Sequence, residues 1–364
     1  MLKEKMKIGI LLPTNVYFSP YSRTYTDIFD EIGVRYDIIY FDKRNLDEPA
    51  AYRFSANLSS TDGSLKRFYG YFRYARFLRK VIKQEKYERL IVCGPQIALF
   101  LYGFLKKHYA GKFILDYRDL SIEQRWMSRY KKLLSISAYN MISSPGFKRC
   151  LPTDVNYILS HNISIEQLRQ ALDEADDGRQ KTWTLPDGKI SVLTIGGIRD
   201  FEQNAAVMQA LSNDSEFETA FIGRGEEGAD VKLRELAQAE DIRNVTFSGF
   251  YQKKDEPSII QKATFLNIFY PRRLSHDTAL SNRFYSSLIF RKPMITTAGT
   301  IQGDYAENYG VGIAIENTND LKNRLSDFVL HHDMAQYERN RKELLQSFLA
   351  DYTAFREAVT AFSQ

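Results

Sequence analysis

The sequence predicts an α/β protein of two doubly wound domains, each a parallel sheet covered by helices, facing one another across a cleft. Three observations carry this expectation. The chain has 364 residues, too many for one ordinary hydrophobic core and natural for two domains of about 150 to 200 residues. Strand-like and helix-like segments alternate from end to end, the order that builds parallel sheets. The segment 173–189, DEADDGRQKTWTLPDGK, is polar, turn-rich and aperiodic, and domain boundaries fall in such segments. The expected domains are therefore 1–175 and 186–340, with 341–364 a final helix that packs back toward the first domain.

In the front domain strands are expected near 6–12, 36–41, 88–93, 112–116, 139–143 and 155–159. Ser121 with Gln124, and Ser164 with Gln167, have capping-box spacing and predict helix starts. The back domain repeats the alternation with strands near 189–195, 217–222, 244–248, 264–269, 293–297 and 311–315, and 319–362 reads as wholly helical. Facing sheets of this kind bind ligands at the carboxyl ends of their strands.

Composition bounds the function. Hydrophobic residues at 44% and charged residues at 26% place the chain among folded globular proteins. Cys93 and Cys150 are too few for a disulfide scaffold and lack metal-ligand spacing, which predicts a reducing, cytoplasmic setting without a bound metal. The N-terminal apolar run is broken by Gly9 and Pro13 and reads as a first buried strand. The most apolar stretch, 90–105, is shorter than a membrane span and is interrupted by Gly94, Pro95 and Gln96.

Charge is distributed unevenly. Residues 1–150 hold 27 Lys+Arg against 14 Asp+Glu, a net of +13, and residues 151–364 hold 23 against 31, a net of −8. A basic half suggests an anionic surface as partner. Residues 64–89 concentrate the excess, with nine Lys+Arg and two glutamates. Phe68, Phe72, Ala75, Leu78 and Ile82 recur at helical spacing as a packing face, while Arg73, Arg76, Lys80 and Lys83 form a separate cationic stripe. Tyr69, Tyr71 and Tyr74 near that stripe suit a membrane headgroup layer. The competing reading is a solvated helix face. Nucleic acid is a weaker partner, because no recognition-helix, RNA-binding or zinc motif accompanies the charge.

Three stretches of the back domain carry candidate chemistry. In IGGIRDFEQN, Gly196, Gly197 and Arg199 precede a helix beginning near Glu202. Glycines admit a phosphate close to the backbone, helix amides receive it and an arginine grips it. A tight turn with a solvated arginine reads equally well. GRGEEG at 223–228 matches a dinucleotide fingerprint literally. Glu226 and Glu227 would occupy the pyrophosphate position, however, and the next strand ends without an acid for a ribose. A cleft-lining loop containing Gly223 and Arg224 is the expectation. In ALSNRFYSSLIFRKPMITT a helix starts at Asn282, and Arg283 in its first turn opposes the helix dipole. A bound anion would resolve that conflict, and so would an acidic neighbour.

The order GGIRD, FIGRG, NVTFSGFY, SNRFYSSLIFRKPMITT, GVGIAI resembles the donor-binding domain of GT-B glycosyltransferases, in particular the large retaining family four and its relatives in bacterial surface-polysaccharide assembly. About 130 residues carry the likeness, and the front half follows more loosely through LDYRDL at 115–120 and LSHN at 159–162. The resemblance implies two Rossmann-like domains, with Arg199, Asn282 and Arg283 on the donor diphosphate beside Ser281 and Ser286. It places Gly249, Phe250 and Tyr251 at the base. The family's paired glutamates would fall near Thr278 and Ser286, neither of them acidic, so ribose gripping and control of the sugar face must differ here.

On the acceptor side the resemblance implies that Asp116 or Asp119 orients or deprotonates a hydroxyl, with Arg118 between them. A strand-end cap on the following helix is the plainer reading of Asp119. His161 and His276 are lone histidines, a type more often a structural hydrogen-bonder than a base, and His276, in the loop nearest the donor phosphates, is the catalytic candidate of the two. The expected activity is transfer of a sugar from a UDP- or GDP-linked donor to a lipid-linked or oligosaccharide acceptor. No separate cofactor and no metal are expected, and the setting is cytoplasmic, at the inner face of a membrane. A non-catalytic paralogue of the same fold, a nucleotide-sugar epimerase and a nucleic-acid binder are the alternatives.

Overall fold

The computed structural model describes residues 6–46, 48–56, 58, 62–173 and 183–364. The chain divides into two compact units, Met1–Asn162 with Ala350–Gln364, and Ile163–Leu349.

The first unit is built on a seven-stranded sheet. Its strands are β1 (Lys7–Leu12), β2 (Arg35–Asp42), β3 (Tyr52–Ser55), β4 (Arg89–Cys93), β5 (Phe113–Tyr117), β6 (Tyr139–Ile142) and β7 (Ile158–Leu159). Their order is β3-β2-β1-β4-β5-β6-β7, and every pairing is parallel. Central strands of such sheets are buried on both faces and read as continuous apolar runs. β1 is KIGILL, with Ile8, Ile10, Leu11 and Leu12 all at 0% exposure. The helix Ser22–Ile32 sets Tyr25, Ile28 and Phe29 against it, and left-handed Gly33 ends that helix. The same cluster takes Phe355, Ala358, Val359 and Phe362 from the last helix. The edge strand β3, YRFS, has no counterpart among the sequence expectations, because four alternating residues leave too little periodicity.

The second unit carries β8 (Ile190–Ile198), β9 (Phe217–Gly225), β10 (Val245–Ser248), β11 (Phe265–Ile268), β12 (Met294–Thr297) and β13 (Gly312–Ile315). The order is β10-β9-β8-β11-β12-β13 and again all parallel. In both sheets the order reverses beside the first strand, giving switch points between β1 and β4 and between β8 and β11.

The units separate at Asn162/Ile163, ahead of the polar segment 173–189, of which 174–182 lie outside the described residues. Packing explains the shift. Leu168 and Ala171 of the helix Ile165–Asp173 belong to the core of the second unit, with Trp183. The tail likewise divides inside a helix, since Met334–Phe362 starts in one unit and ends in the other. Its first part is fixed by Arg341, fully buried, which pairs with Glu338 and donates to the carbonyls of Leu288 and Ala171. The stretch 319–362 is two helices, Leu321–His331 and Met334–Phe362, broken at His332 and Asp333.

Of the two expected helix starts, Ser164 caps its helix, its hydroxyl accepting from the Gln167 amide at 3.1 Å. Ser121 does not. Its own amide is taken by the Glu123 carboxylate, and only a short 3-10 turn, Ile122–Arg125, follows. The helix Ser64–Glu85 buries Gly70, Tyr74, Ala75, Leu78, Val81 and Ile82. Phe68 and Phe72, expected in that face, are exposed instead. Tyr74, expected at a headgroup layer, is 1% exposed and donates to the carbonyls of Leu12 and Ile39.

The glycine segments of the second unit are strand rather than loop. Gly196 pairs with Gly223, Gly197 with Arg224 and Ile198 with Gly225 as the β8–β9 ladder runs on past the apolar part of both strands. Close approach demands the glycines, because a Cβ at Gly223, whose φ is +139°, would stand 1.9 Å from the Gly196 carbonyl oxygen. Gly223→Ala is therefore expected to cost several kcal/mol, on the order of 3, whereas Gly249→Ala, with nothing within 4 Å of its Cβ position, should fall near wild type. Urea unfolding of the two variants measures the difference.

Candidate functional site

At the switch point of the second unit a buried polar network sets the loops that follow β8 and β11. Asn267 of β11, 1% exposed, donates to the Thr194 hydroxyl and to Asn204 Oδ1 and accepts from the Phe269 amide. Asn204 in turn donates to the carbonyls of Arg199 and Asp200. Low dielectric makes a satisfied network of this kind rigid. Asp200 is left in the left-handed region at φ 51°, ahead of the helix Phe201–Ala210, with its carboxylate 3.6 Å from Arg273 and 4.0 Å from His276 Nε2.

Arg283 occupies the centre. It is 9% exposed, and its guanidinium donates to the carbonyls of Ile195 at 2.5 Å, Gly197 at 2.6 Å and Asn267 at 3.3 Å. The conflict between its charge and the helix dipole is thus met inside the protein, by three carbonyl oxygens at the ends of β8 and β11. Neither an acid nor an anion is required for that. Three of the five N–H donors of the side chain are used in this way.

Of the other expected residues, Gly196, Gly197, Gly223, Arg224, Arg199 and Tyr251 lie at the same β8–β9 end. Ser281 caps the helix Asn282–Ile289, accepting from the Phe284 amide, and its own amide and hydroxyl both donate to Gln302. Asn282 is exposed and Ser286 half-buried. Arg199 is exposed and pairs with Glu226 at 2.8 Å, and this pair lies over Gly197, within 3.2 to 3.9 Å of where its Cβ would be. Arg224 and Gly249 are exposed, and Phe250 is 84% exposed. Tyr251 reaches back to Gly196, its hydroxyl 3.9 Å from the Cβ position there, and donates to Glu256 at 2.8 Å. Burial, with the bond to Glu256, pushes the Tyr251 hydroxyl above its ordinary range. His276 Nδ1 lies 3.2 Å from the Pro271 carbonyl, and its ring packs on Tyr270. The Thr278 hydroxyl donates to the Leu274 carbonyl. Among the described residues no group of three His, Cys, Asp or Glu side chains is placed to hold a metal ion.

In the first unit Asp116, the last residue but one of β5, is at 0% exposure. Its Oδ2 accepts from the Tyr25 hydroxyl and from Arg118 Nη2, both at 2.9 Å, and its Oδ1 lies 2.8 Å from Arg118 Nε. Arg118 also donates to Ser160 and Asn162 and sits 4.6 Å from the Tyr21 ring centre. Asp119 is exposed. His161 is bound 3.0 Å from Asp351. A cavity of about 530 Å³ opens at the ends of β2 and β3, lined in part by Lys43, Arg44 and Ser55. Burial, together with Arg44, brings Lys43 down to about 8, and its ammonium donates to Tyr71.

Sequence reasoning did not single out Asn267, Asn204 or Asp200. A polar residue inside the apolar strand FLNI was the available signal, because buried amides are retained where they are hydrogen-bonded. Asp200 gave no comparable sign. Its closeness to Arg273 and His276 depends on a left-handed backbone and on a chain separation of more than seventy residues.

No family model matches the chain, and no curated protein matches it in sequence. Solved structures resemble it in fold. Sucrose-phosphate synthase from Thermosynechococcus elongatus is 12% identical, the alignment covering 96% of this chain and 97% of that one, with a TM-score of 0.68. HepE of Anabaena, determined in complex with UDP and glucose, is 10% identical over 98% and 100%, at 0.66. UDP-N-acetylglucosamine 2-epimerase from Rickettsia bellii is 11% identical over 97% and 98%, at 0.59. The fold is the two-domain Rossmann-like α/β fold of the GT-B glycosyltransferases, and an epimerase shares it.

Two measurements follow from this geometry. Arg283→Ala leaves three strand-end carbonyls without a donor and is expected to lower stability by on the order of 3 kcal/mol, read as a lower urea midpoint. The second concerns Asp42, at the end of β2. Burial alone raises its carboxyl, but hydrogen bonds from Asn15, the Leu46 amide, Arg53 and the Arg44 amide outweigh that and hold it below 3.8. With the folded value below the unfolded one, the carboxylate contributes stability that is present above 3.8 and lost as pH falls through the folded value. The urea midpoint of Asp42→Asn should therefore change less than that of wild type between about pH 5 and pH 3.

Proposed function

We propose that the chain is a glycosyltransferase that moves a sugar from a UDP- or GDP-linked donor to a lipid-linked or oligosaccharide acceptor in surface-glycan synthesis. The observation that supports it best is the convergence at the second switch point of a glycine-lined β8–β9 end, the exposed cation Arg199 and the first turn of the helix Asn282–Ile289. Switch points are where doubly wound sheets take ligands, and first-turn amides favour phosphate. HepE, of the same fold, holds UDP and glucose.

In this reading Gly196, Gly197, Gly223, Arg224, Ser281, Asn282 and Ser286 line the diphosphate and sugar, while Gly249, Phe250 and Tyr251 take the base. Arg199 and the helix amides stabilise the charge of the leaving diphosphate, which makes the reaction metal-independent. Arg283 holds the carbonyls that shape the floor, with two N–H donors left for the phosphate. His276, with Asp200, stands on the donor side. Asp119, exposed and next in the chain to the buried Arg118, acts on the acceptor hydroxyl. The reading includes a cytoplasmic setting with the anionic face of a membrane as a partner surface through residues 64–89. Among the described residues no helix is long and apolar enough to cross a membrane.

Melting against a panel of UDP- and GDP-sugars tests the donor, because a ligand bound only by the folded state raises its apparent stability. One donor should raise the melting temperature and support transfer. Arg199→Ala, at an exposed side chain, should leave the unliganded melting temperature unchanged and reduce the donor-induced shift at least fivefold in donor concentration. Stabilisation without transfer would assign a non-catalytic binding subunit. Isomerisation of the free donor without acceptor would assign an epimerase, the activity of a protein of the same fold. No response to any nucleotide would end the reading.

A further inference from the structure

The helix Ser64–Glu85 turns a stripe of large apolar side chains outward. Leu65 is 84% exposed, Phe68 60%, Tyr69 61% and Phe72 42%, and their spacing of i, i+3, i+4 and i+7 puts them on one face. That face is opposite the buried one of Tyr74, Leu78, Val81 and Ile82. It continues along the helix as exposed Arg76, Lys80 and Lys83. One outward surface about 33 Å long is therefore apolar in its first half and cationic in its second. The apolar part is held in place, since Phe68 packs on Phe100 at 5.1 Å and Tyr71 stacks on the same ring. Arg73 flanks it, 5.9 Å from the Tyr69 ring centre.

We propose that this helix lies in the plane of an anionic lipid bilayer, with Leu65, Phe68, Tyr69 and Phe72 inserted below the headgroups and Arg76, Lys80 and Lys83 among them. Apolar side chains exposed to this extent on one stripe mark an interaction site. The partner must be both apolar in depth and negative at its surface, which describes an anionic bilayer. A second copy of this chain fits worse, because it would bring its own nine cations and two acids to the same surface with no counter-charge. The inference deepens the membrane part of the reading above and does not depend on the donor site.

The test is co-sedimentation of the full chain with vesicles of phosphatidylcholine and phosphatidylglycerol, against vesicles of phosphatidylcholine alone. Binding is expected to the anionic vesicles. Phe68→Ser with Phe72→Ser should weaken it at least tenfold, and Arg76→Glu with Lys80→Glu and Lys83→Glu on the order of a hundredfold. All five side chains are exposed, so melting temperature and donor-induced shift should stay at wild type in both variants. A lost donor shift in wild type with vesicle binding intact would sink the enzymatic reading alone. Wild-type protein that ignores anionic vesicles, or variants that bind as wild type does, overturn the membrane proposal. So does a concentration-dependent dimer in gel filtration that the Phe68→Ser, Phe72→Ser variant abolishes, since the stripe would then cover a second copy.

Discussion

The second unit depends on one guanidinium. At the switch point of a doubly wound sheet the chain leaves two neighbouring strands toward opposite faces, so the last carbonyls of both strands lose the ladder partners they would otherwise have. Arg283 supplies donors to β8 at Ile195 and Gly197 and to β11 at Asn267. A planar fork suits this task, because its donors diverge in a fixed plane and are pre-organised toward separate acceptors. The helix that carries Arg283 begins beside the site for the same reason. Ser281 caps it and Gln302 holds the cap, so the first turn cannot drift from the carbonyls its second residue engages.

The first unit solves a similar problem with a different acceptor. Arg118 follows the end of β5 and binds Asp116, Ser160 and Asn162, which closes the gap between the strand end and the segment after β7. Here the buried arginine meets a buried carboxylate, and Tyr25 completes that carboxylate's coordination. Removal of either charge would leave the other buried and unpaired, a larger penalty than loss of the pair as a whole. Asp116 therefore anchors, and the exposed Asp119 three residues on is the one with access to solvent. The contrast between two carboxylates in one short segment comes from the strand end itself, since β5 is buried to its last residue, Tyr117.

Much of this was legible in the sequence, and the limits have physical causes. Continuous apolar runs such as KIGILL and RLIVC mark central parallel strands on local evidence alone. The edge strand YRFS gives no such run. In the helix Ser64–Glu85, apolar periodicity showed two faces but not which was inside, because Leu65, Phe68, Tyr69 and Phe72 form as regular a stripe as the buried residues opposite. Gly196 and Gly223 read as loop for the reason that glycine is permissive, and only their register against each other makes them strand. The gathering of Arg199, Tyr251, His276 and Arg283 around one switch point followed from strand order. The partners of those side chains did not, since Ile195, Glu226 and Glu256 enter through pairings that no local pattern records.

The commitment of Arg283 to carbonyls changes what an anion would meet. Most of that guanidinium is spent on backbone, so the exposed positive charges at the β8–β9 end are Arg199 and Arg224, and Arg199 already has Glu226 at 2.8 Å. Both members are more than half exposed, and pairs of that kind are worth about 0 to 1 kcal/mol. A diphosphate, with more charge than one carboxylate and the first-turn amides of a helix beside it, can displace Glu226 at little cost. Glu226 would then act as a placeholder, neutralising Arg199 above the open backbone of Gly197 until a stronger anion arrives. In the proposed transferase this keeps Arg199 neutralised until the donor arrives, and the donor then meets Arg199 together with the first-turn amides of the helix Asn282–Ile289.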